Sequence, residues 1–160
     1  MMGVGKSTIG KSLSLITGMT FIDLDSQIQK KTGKTIKDIF NEKGEKYFRQ
    51  LEKNVAIKEL QNMNRIISLG GGAFMDTEIR EYVLNNCQSF WLNLSLDTLE
   101  ERLKKNNSNR PLLDNLKIKD NLNEILKKRK NFYKLANYKI ECDNKKVQEI
   151  SKEILKKYDE

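Results

Sequence analysis

Met1-Met2-Gly3-Val4-Gly5-Lys6-Ser7-Thr8 carries all but the leading glycine of the phosphate-binding pattern G-x-x-x-x-G-K-[ST]. The spacing follows from the chemistry. Glycines let backbone N–H groups curl around a polyphosphate, the lysine neutralises its outer phosphates, and the hydroxyl after it reaches a divalent cation. The helix that follows turns its positive end toward the same anion. Gly3, Gly5, Lys6, Ser7 and Thr8 are therefore candidate nucleotide ligands. The competing reading is a glycine-rich turn that merely caps a helix. A loop of this kind hangs between a buried strand and its helix. The pattern's first glycine would fall just before Met1, and no residues here supply the strand. The expectation is that the coding frame continues upstream with a short β-branched strand and a glycine.

At 160 residues the chain is long enough for one domain with a sizeable core, and 38% apolar against 32% charged residues describes a globular protein. No apolar run approaches the roughly 20 residues that span a bilayer. Cys87 and Cys142 lack metal-type spacing and read as small core residues in a reducing cytosol. With 0 histidines, His-based triads and most zinc sites are excluded. The net charge of +8 suits a nucleic-acid binder or an enzyme for anionic ligands. The lysines are scattered in pairs along several segments, without the aromatic interleaving of an RNA-binding stripe.

Helix-type periodicity over residues 5–17 stops at Gly18, and a short apolar strand over 20–24 ends in Asp23 and Asp25. Two helices follow, the second opened by a capping box at Thr35 and Asp38, and a longer helix spans 45–61. Strands at 65–69, 89–94 and 138–142 then alternate with helices at 77–84, 97–105, 117–135 and 146–158. The polar segment 105–114, which holds the single proline, Pro111, reads as a loop. Such alternation predicts a three-layer α/β/α fold around a central parallel sheet.

Four further features carry chemistry. Asp23-Leu24-Asp25 ends a strand, where alternation would put both carboxylates on one face of the ligand cleft; a helix cap with a spare acid is the alternative. In Phe48-Arg49-x-x-Glu52, Arg49 and Glu52 read either as part of a site or as an i,i+3 surface pair. Gly70-Gly71-Gly72 lets a ligand approach bare main chain, whereas a simple turn rarely needs three glycines. Arg110, in Arg110-Pro111-Leu112-Leu113, is either a cationic lid over a phosphate or a solvated loop charge, and Arg129 begins Arg129-x-x-x-Tyr133 within a Lys-rich helix.

In this order, the motifs G-K-S-T, D-x-D, F-R-x-x-E, G-G-G, R-P-L-L and K-R-x-x-x-Y resemble those of the shikimate kinases, along essentially the whole chain. The resemblance implies a P-loop fold of the nucleoside-monophosphate-kinase-like type and transfer of the ATP γ-phosphate to the 3-hydroxyl of shikimate, in aromatic amino acid biosynthesis. It implies that Lys6 contacts the β- and γ-phosphates, that Ser7 ligates Mg²⁺, and that Asp23 supports the metal through water. Asp25 would hydrogen-bond the attacking hydroxyl and act as base. Arg49 and Arg129 would grip the shikimate carboxylate, Gly70, Gly71 and Gly72 would meet the ring hydroxyls, Arg110 would close as the lid arginine, and Arg102 would stack on adenine. It further implies one domain over 1–160, with a substrate-binding helical region at about 25–62 and a lid at about 105–116. The expected protein is a cytoplasmic monomer that binds ATP and shikimate, and neither nucleic acid nor membrane. The chain departs from the family pattern at its N-terminus and around Asp143-Asn144-Lys145, where the adenine-side loop lacks a proline. The competing functions are another small P-loop kinase of the gluconate or nucleoside-monophosphate type, an inactive regulatory relative, and a basic nucleic-acid-binding module.

Overall fold

The computed structural model describes residues 1–105 and 118–159. Helix α1 (Lys6–Thr17) buries Ile9 and Leu13 and ends at Gly18, whose N–H returns to the Ser14 carbonyl. Strand β1 (Thr20–Asp23) passes directly into α2 (Leu24–Thr32), because the Asp23 carboxylate accepts from the Ser26 N–H and starts the helix there. The strand is therefore one residue shorter than its apolar pattern suggests.

Thr35 caps α3 (Ile36–Leu60), which is interrupted at Gly44 (φ 79°, ψ 170°); the two consecutive helices expected from periodicity are its two halves. The Thr35–Asp38 capping contact is present, with the Thr35 hydroxyl accepting from the Asp38 N–H at 3.1 Å. The second half of α3 leads to β2 (Arg65–Ser68), then the glycine strip, and then a 3-10 turn (Ala73–Met75). The order continues with α4 (Thr77–Asn86), β3 (Phe90–Asn93), α5 (Leu96–Lys105), α6 (Ile118–Tyr133), β4 (Tyr138–Glu141) and α7 (Val147–Tyr158).

Among the described residues all strand pairing is parallel, as expected of short strands joined through helices. β1 pairs with β2 from Thr20 opposite Arg65 to Asp23 opposite Ser68, and β3 pairs with β4 from Phe90 opposite Tyr138 to Asn93 opposite Glu141. The sheet thus consists of two pairs, and β2 and β3 each keep one edge without a strand partner among the described residues. A cavity of about 610 Å³ has both of these strands in its wall, together with Val4, Trp91 and Tyr133. The Trp91 indole N–H is buried there without a hydrogen-bond partner among the described residues. One helical layer ties the halves together: α1 packs on β1 and β2, α7 packs on β4, and α1 and α7 pack on each other. At that contact the fully buried Ser151 hydroxyl lies 3.0 Å from the Ser12 hydroxyl.

Leu24, Ile28, Ile39, Ile79, Leu99, Leu122 and Ile140 form the most buried part of the core. Cys142 belongs to it, and burial pushes its thiol up to about 11; Cys87 is only half-buried, and both are free thiols. This architecture brings the P-loop, the C-terminal ends of β1 and β2, and one face of α6 to the same end of the molecule.

Candidate active site

The nucleotide side is built by the loop before α1. Gly5 takes a left-handed conformation (φ 92°) that glycine alone adopts without strain, and it forms the N-cap of α1. No side chain caps this helix and no acidic residue sits in its first turn. The positive end of α1 is therefore left to an anion. Lys6 folds back over the loop and donates to the Met1 carbonyl at 2.7 Å, while Ser7 and Thr8 stand exposed on the first turn. The Gly3 backbone rests on α5, where an added Cβ would lie 3.4 Å from the Leu103 side chain.

Arg102 leaves α5 toward the same loop: a Cβ built on Gly5 would lie 3.8 Å from its Nη1. Opposite stands Asp143, whose carboxylate accepts from the Ser95 N–H and hydroxyl (both 2.9 Å) and from the Thr98 hydroxyl (2.7 Å). Those hydrogen bonds, Thr98 first, hold the Asp143 carboxyl below its usual range, and Arg102 adds to the effect. Arg102 thus lies between the P-loop and the 143–145 loop.

Asp23 serves in two ways. One carboxylate oxygen caps α2, and the other accepts from the Ser7 hydroxyl at 2.5 Å. Asp23 is thus a helix cap that also lies against the P-loop serine. Ser7 and Asp23 are hard oxygen donors at the mouth of the P-loop, the donor type that a divalent cation shared with phosphates prefers. Among the described residues no cluster of three or more Asp, Glu, Cys or His stands together, so a cation here would draw on this pair and on the phosphates themselves.

Asp25 requires a correction. Strand alternation does not bring it beside Asp23, because β1 ends at Asp23 and Asp25 belongs to the first turn of α2. The helix turn instead directs Asp25 to the glycine strip, where a Cβ on Gly70 would stand 2.9 Å from its Oδ1.

At the strip, each glycine is met by a different charged group. Gly70 faces Asp25 and Glu52, whose Oε1 would be 2.5 Å from an added Cβ. For Gly71 the corresponding neighbour is Arg129 Nη1 at 3.2 Å, and for Gly72 it is Arg49 Nη1 at 2.5 Å. These glycines have no positive φ. They are required by close approach, and in this structure the closest groups are the protein's own side chains.

Arg49 lies beyond the Gly44 break in α3, paired with Glu52 at 2.6 Å and with Glu45 at 3.1 Å, its guanidinium over the Phe48 ring at 5.2 Å. Glu52 is only 2% exposed, so the surface-pair reading fails. Burial raises the Glu52 carboxyl above its usual range, partly offset by Arg49, while the nearby Asp25 carboxylate adds to the rise. From α6, Arg129 Nη1 donates to the Gly71 carbonyl at 2.8 Å.

Arg49, Arg129, Asp25 and Gly70–Gly72 are thus brought together, and Lys6, Ser7, Asp23 and Arg102 gather at the adjoining P-loop. Arg110 and the segment 106–117 lie outside the described residues. Sequence reasoning quoted two members of the site, Glu52 and Tyr133, within its motifs but gave neither a role of its own. Glu52 falls on the face of α3 that buries Phe48 and Val55, and a carboxylate on an apolar face is itself a signal. Tyr133 sits one turn after Arg129 on the same face and donates to the same Gly71 carbonyl at 2.5 Å. Two guanidiniums and two carboxylates around bare main chain can hold a small anion bearing hydroxyl groups. The P-loop beside it supplies the geometry for phosphoryl transfer.

A family model described as shikimate kinase matches residues 2–159. The shikimate kinase of Persephonella marina is 42% identical over 154 residues, covering 96% of this chain and 92% of its own length. That of Sulfurihydrogenibium is 40% identical over 156 residues, covering 98% and 92%. Among solved structures, a shikimate kinase from Acinetobacter baumannii in complex with shikimate superposes with a TM-score of 0.92 at 31% identity, covering 98% of this chain and 88% of that one. The shikimate kinase of Bacteroides thetaiotaomicron gives a TM-score of 0.91 at 30% identity, covering 99% and 94%.

Proposed function

The chain belongs to the shikimate kinase family, and from that premise we propose that it transfers the γ-phosphoryl group of ATP to the 3-hydroxyl of shikimate, giving shikimate 3-phosphate and ADP. The observation that carries the reading is the convergence of Arg49, Arg129, Asp25 and Glu52 on Gly70–Gly72, at the end of the sheet that also holds the P-loop. Shikimate is a small carboxylate with three ring hydroxyls. The two planar guanidiniums suit its carboxylate, and the Asp25 carboxylate suits a hydroxyl.

Phosphoryl transfer asks a protein mainly for positioning and charge neutralisation. The Gly3–Ser7 backbone and the N-terminus of α1 cradle the phosphates. Lys6 exchanges its contact with the Met1 carbonyl for the β- and γ-oxygens. Asp25 orients the acceptor hydroxyl and takes up its proton. Arg102 lies against the nucleotide base. Mg²⁺, held by Ser7 and through water by Asp23, would neutralise charge on the phosphates. The substrate-binding region comprises 25–62 together with the glycine strip and Arg129. Among the described residues no helix is long and apolar enough to cross a membrane, and the proposed enzyme is a cytoplasmic monomer that takes no nucleic acid.

A coupled ADP-release assay tests the reading. Shikimate should stimulate ADP release far above the ATP-only background, while gluconate and nucleoside monophosphates should not. Stimulation by one of the other acceptors and not by shikimate would refute it.

A further inference from the structure

Resting on the reading above, we propose that Tyr133 is a positioning residue for the acceptor site, whose hydroxyl frees Arg129 for the substrate by occupying the second acceptor position of the Gly71 carbonyl. A carbonyl oxygen has two lone pairs. Here one takes Arg129 Nη1 at 2.8 Å and the other takes the Tyr133 hydroxyl at 2.5 Å. The two donors are four residues apart on α6 and so share one helix face. Tyr133 is held on that face from behind, its ring tilted against Trp91 at 6.1 Å between centroids and 7% exposed.

The geometry has a consequence for Arg129. A guanidinium is a planar fork of five donors, and it turns readily to give two of them to a single unshared carbonyl. With the tyrosine hydroxyl on that oxygen, Arg129 gives one N–H to Gly71, stands beside the phenol oxygen, and keeps its remaining N–H groups for a carboxylate. Tyr133 also fixes the plane of the peptide that begins at the Gly71 carbonyl, next to the place where Arg49 lies against Gly72. Burial raises the phenol above its usual range, so the group remains a donor throughout the neutral range. Tyr133 acts on the Gly71 carbonyl and beside Arg129, so its effect belongs to the acceptor and not to ATP.

The test is steady-state kinetics of wild type and Tyr133→Phe, with the KM of shikimate and the KM of ATP each measured at saturating co-substrate, alongside thermal melting. Phenylalanine keeps the ring against Trp91 and removes only the donor. The expected result is a shikimate KM raised roughly five- to tenfold, the size of one buried hydrogen bond, with the ATP KM and melting temperature nearly unchanged. Tyr133→Leu, which also removes the ring, should raise both KM values and lower the melting temperature. An unchanged shikimate KM in Tyr133→Phe overturns the proposal, as does a rise in both KM values in step with lost stability. A wild-type enzyme that does not turn over shikimate overturns the functional reading and this proposal together. An active wild type with an indifferent phenylalanine variant overturns this proposal alone.

Discussion

At Gly72 a single methyl group would collide with a guanidinium, since an added Cβ would lie within 2.5 Å of Arg49 Nη1. Arg49 has little freedom to retreat, because it is paired with the buried Glu52 and laid over Phe48. Gly72→Ala is therefore expected to weaken shikimate binding by tenfold or more while leaving ATP binding within about twofold, the signature of a lost carboxylate clamp. Titration of each ligand into the variant separates the two; equal losses would place the damage in the fold. Asp25→Asn is expected to keep both ligands bound and to lower turnover by roughly 10²-fold, the scale of lost general-base and hydroxyl-orienting help. Near wild-type turnover would remove Asp25 from the mechanism. Both residues were legible in the sequence, but for incomplete reasons. The D-x-D spacing pointed to Asp25 through strand alternation, whereas a helix turn delivers it. The triple glycine pointed to a ligand contact, whereas the protein's own charges already crowd the strip.

Periodicity located every α-helix and strand that the structure describes, though not the 3-10 turn at Ala73–Met75, because each α-helix buries a regular apolar stripe and each strand is bounded by turn residues. Boundaries moved where a side chain intervened, as where Asp23 caps α2 and shortens β1. The motifs contained Glu52 and Tyr133, but their roles depend on which face of α3 meets the glycine strip and which face of α6 meets the Gly71 carbonyl, and periodicity within one element says nothing of its neighbour. Glu52 also gives α3 a pH dependence. Its carboxyl is raised by burial, with Arg49 opposing, so at intermediate pH the folded chain holds a proton that the unfolded chain has released. Linkage then makes this contribution to stability fall as pH rises from the ordinary glutamate range through the raised folded value. Melting of wild type and Glu52→Gln across that window should show the wild type losing ground to the variant as pH increases. A constant difference, or one of opposite sign, would show that the Arg49 pair outweighs burial.

Among the described residues the sheet is two parallel pairs held together by the α1–α7 layer, and the cavity beside β2 and β3 has Lys6, Gly70 and Gly71 of the site in its wall. Trp91 forms part of its wall with an indole N–H that has no partner among the described residues. Replacing a packed aromatic normally costs about 3–5 kcal/mol on full truncation to alanine. Trp91→Phe keeps most of the apolar surface and removes a buried orphan donor that itself costs about 1–3 kcal/mol. Chemical denaturation is therefore expected to find Trp91→Phe within about 1 kcal/mol of wild type; a loss of several kcal/mol would mean that the indole is fully satisfied and tightly packed. Fold class was readable from strand–helix alternation, but strand order and pairing were not, since they arise from contacts far apart in sequence. The central claim is that the P-loop and the arginine-flanked glycine strip together phosphorylate shikimate. Phosphorus NMR of a reaction containing the protein, Mg²⁺, ATP and shikimate tests it most directly. A new phosphomonoester signal coupled to the proton at ring carbon 3, growing with ADP and absent without shikimate, is the predicted result. ATP consumption yielding only inorganic phosphate, or a product indifferent to shikimate, would contradict it.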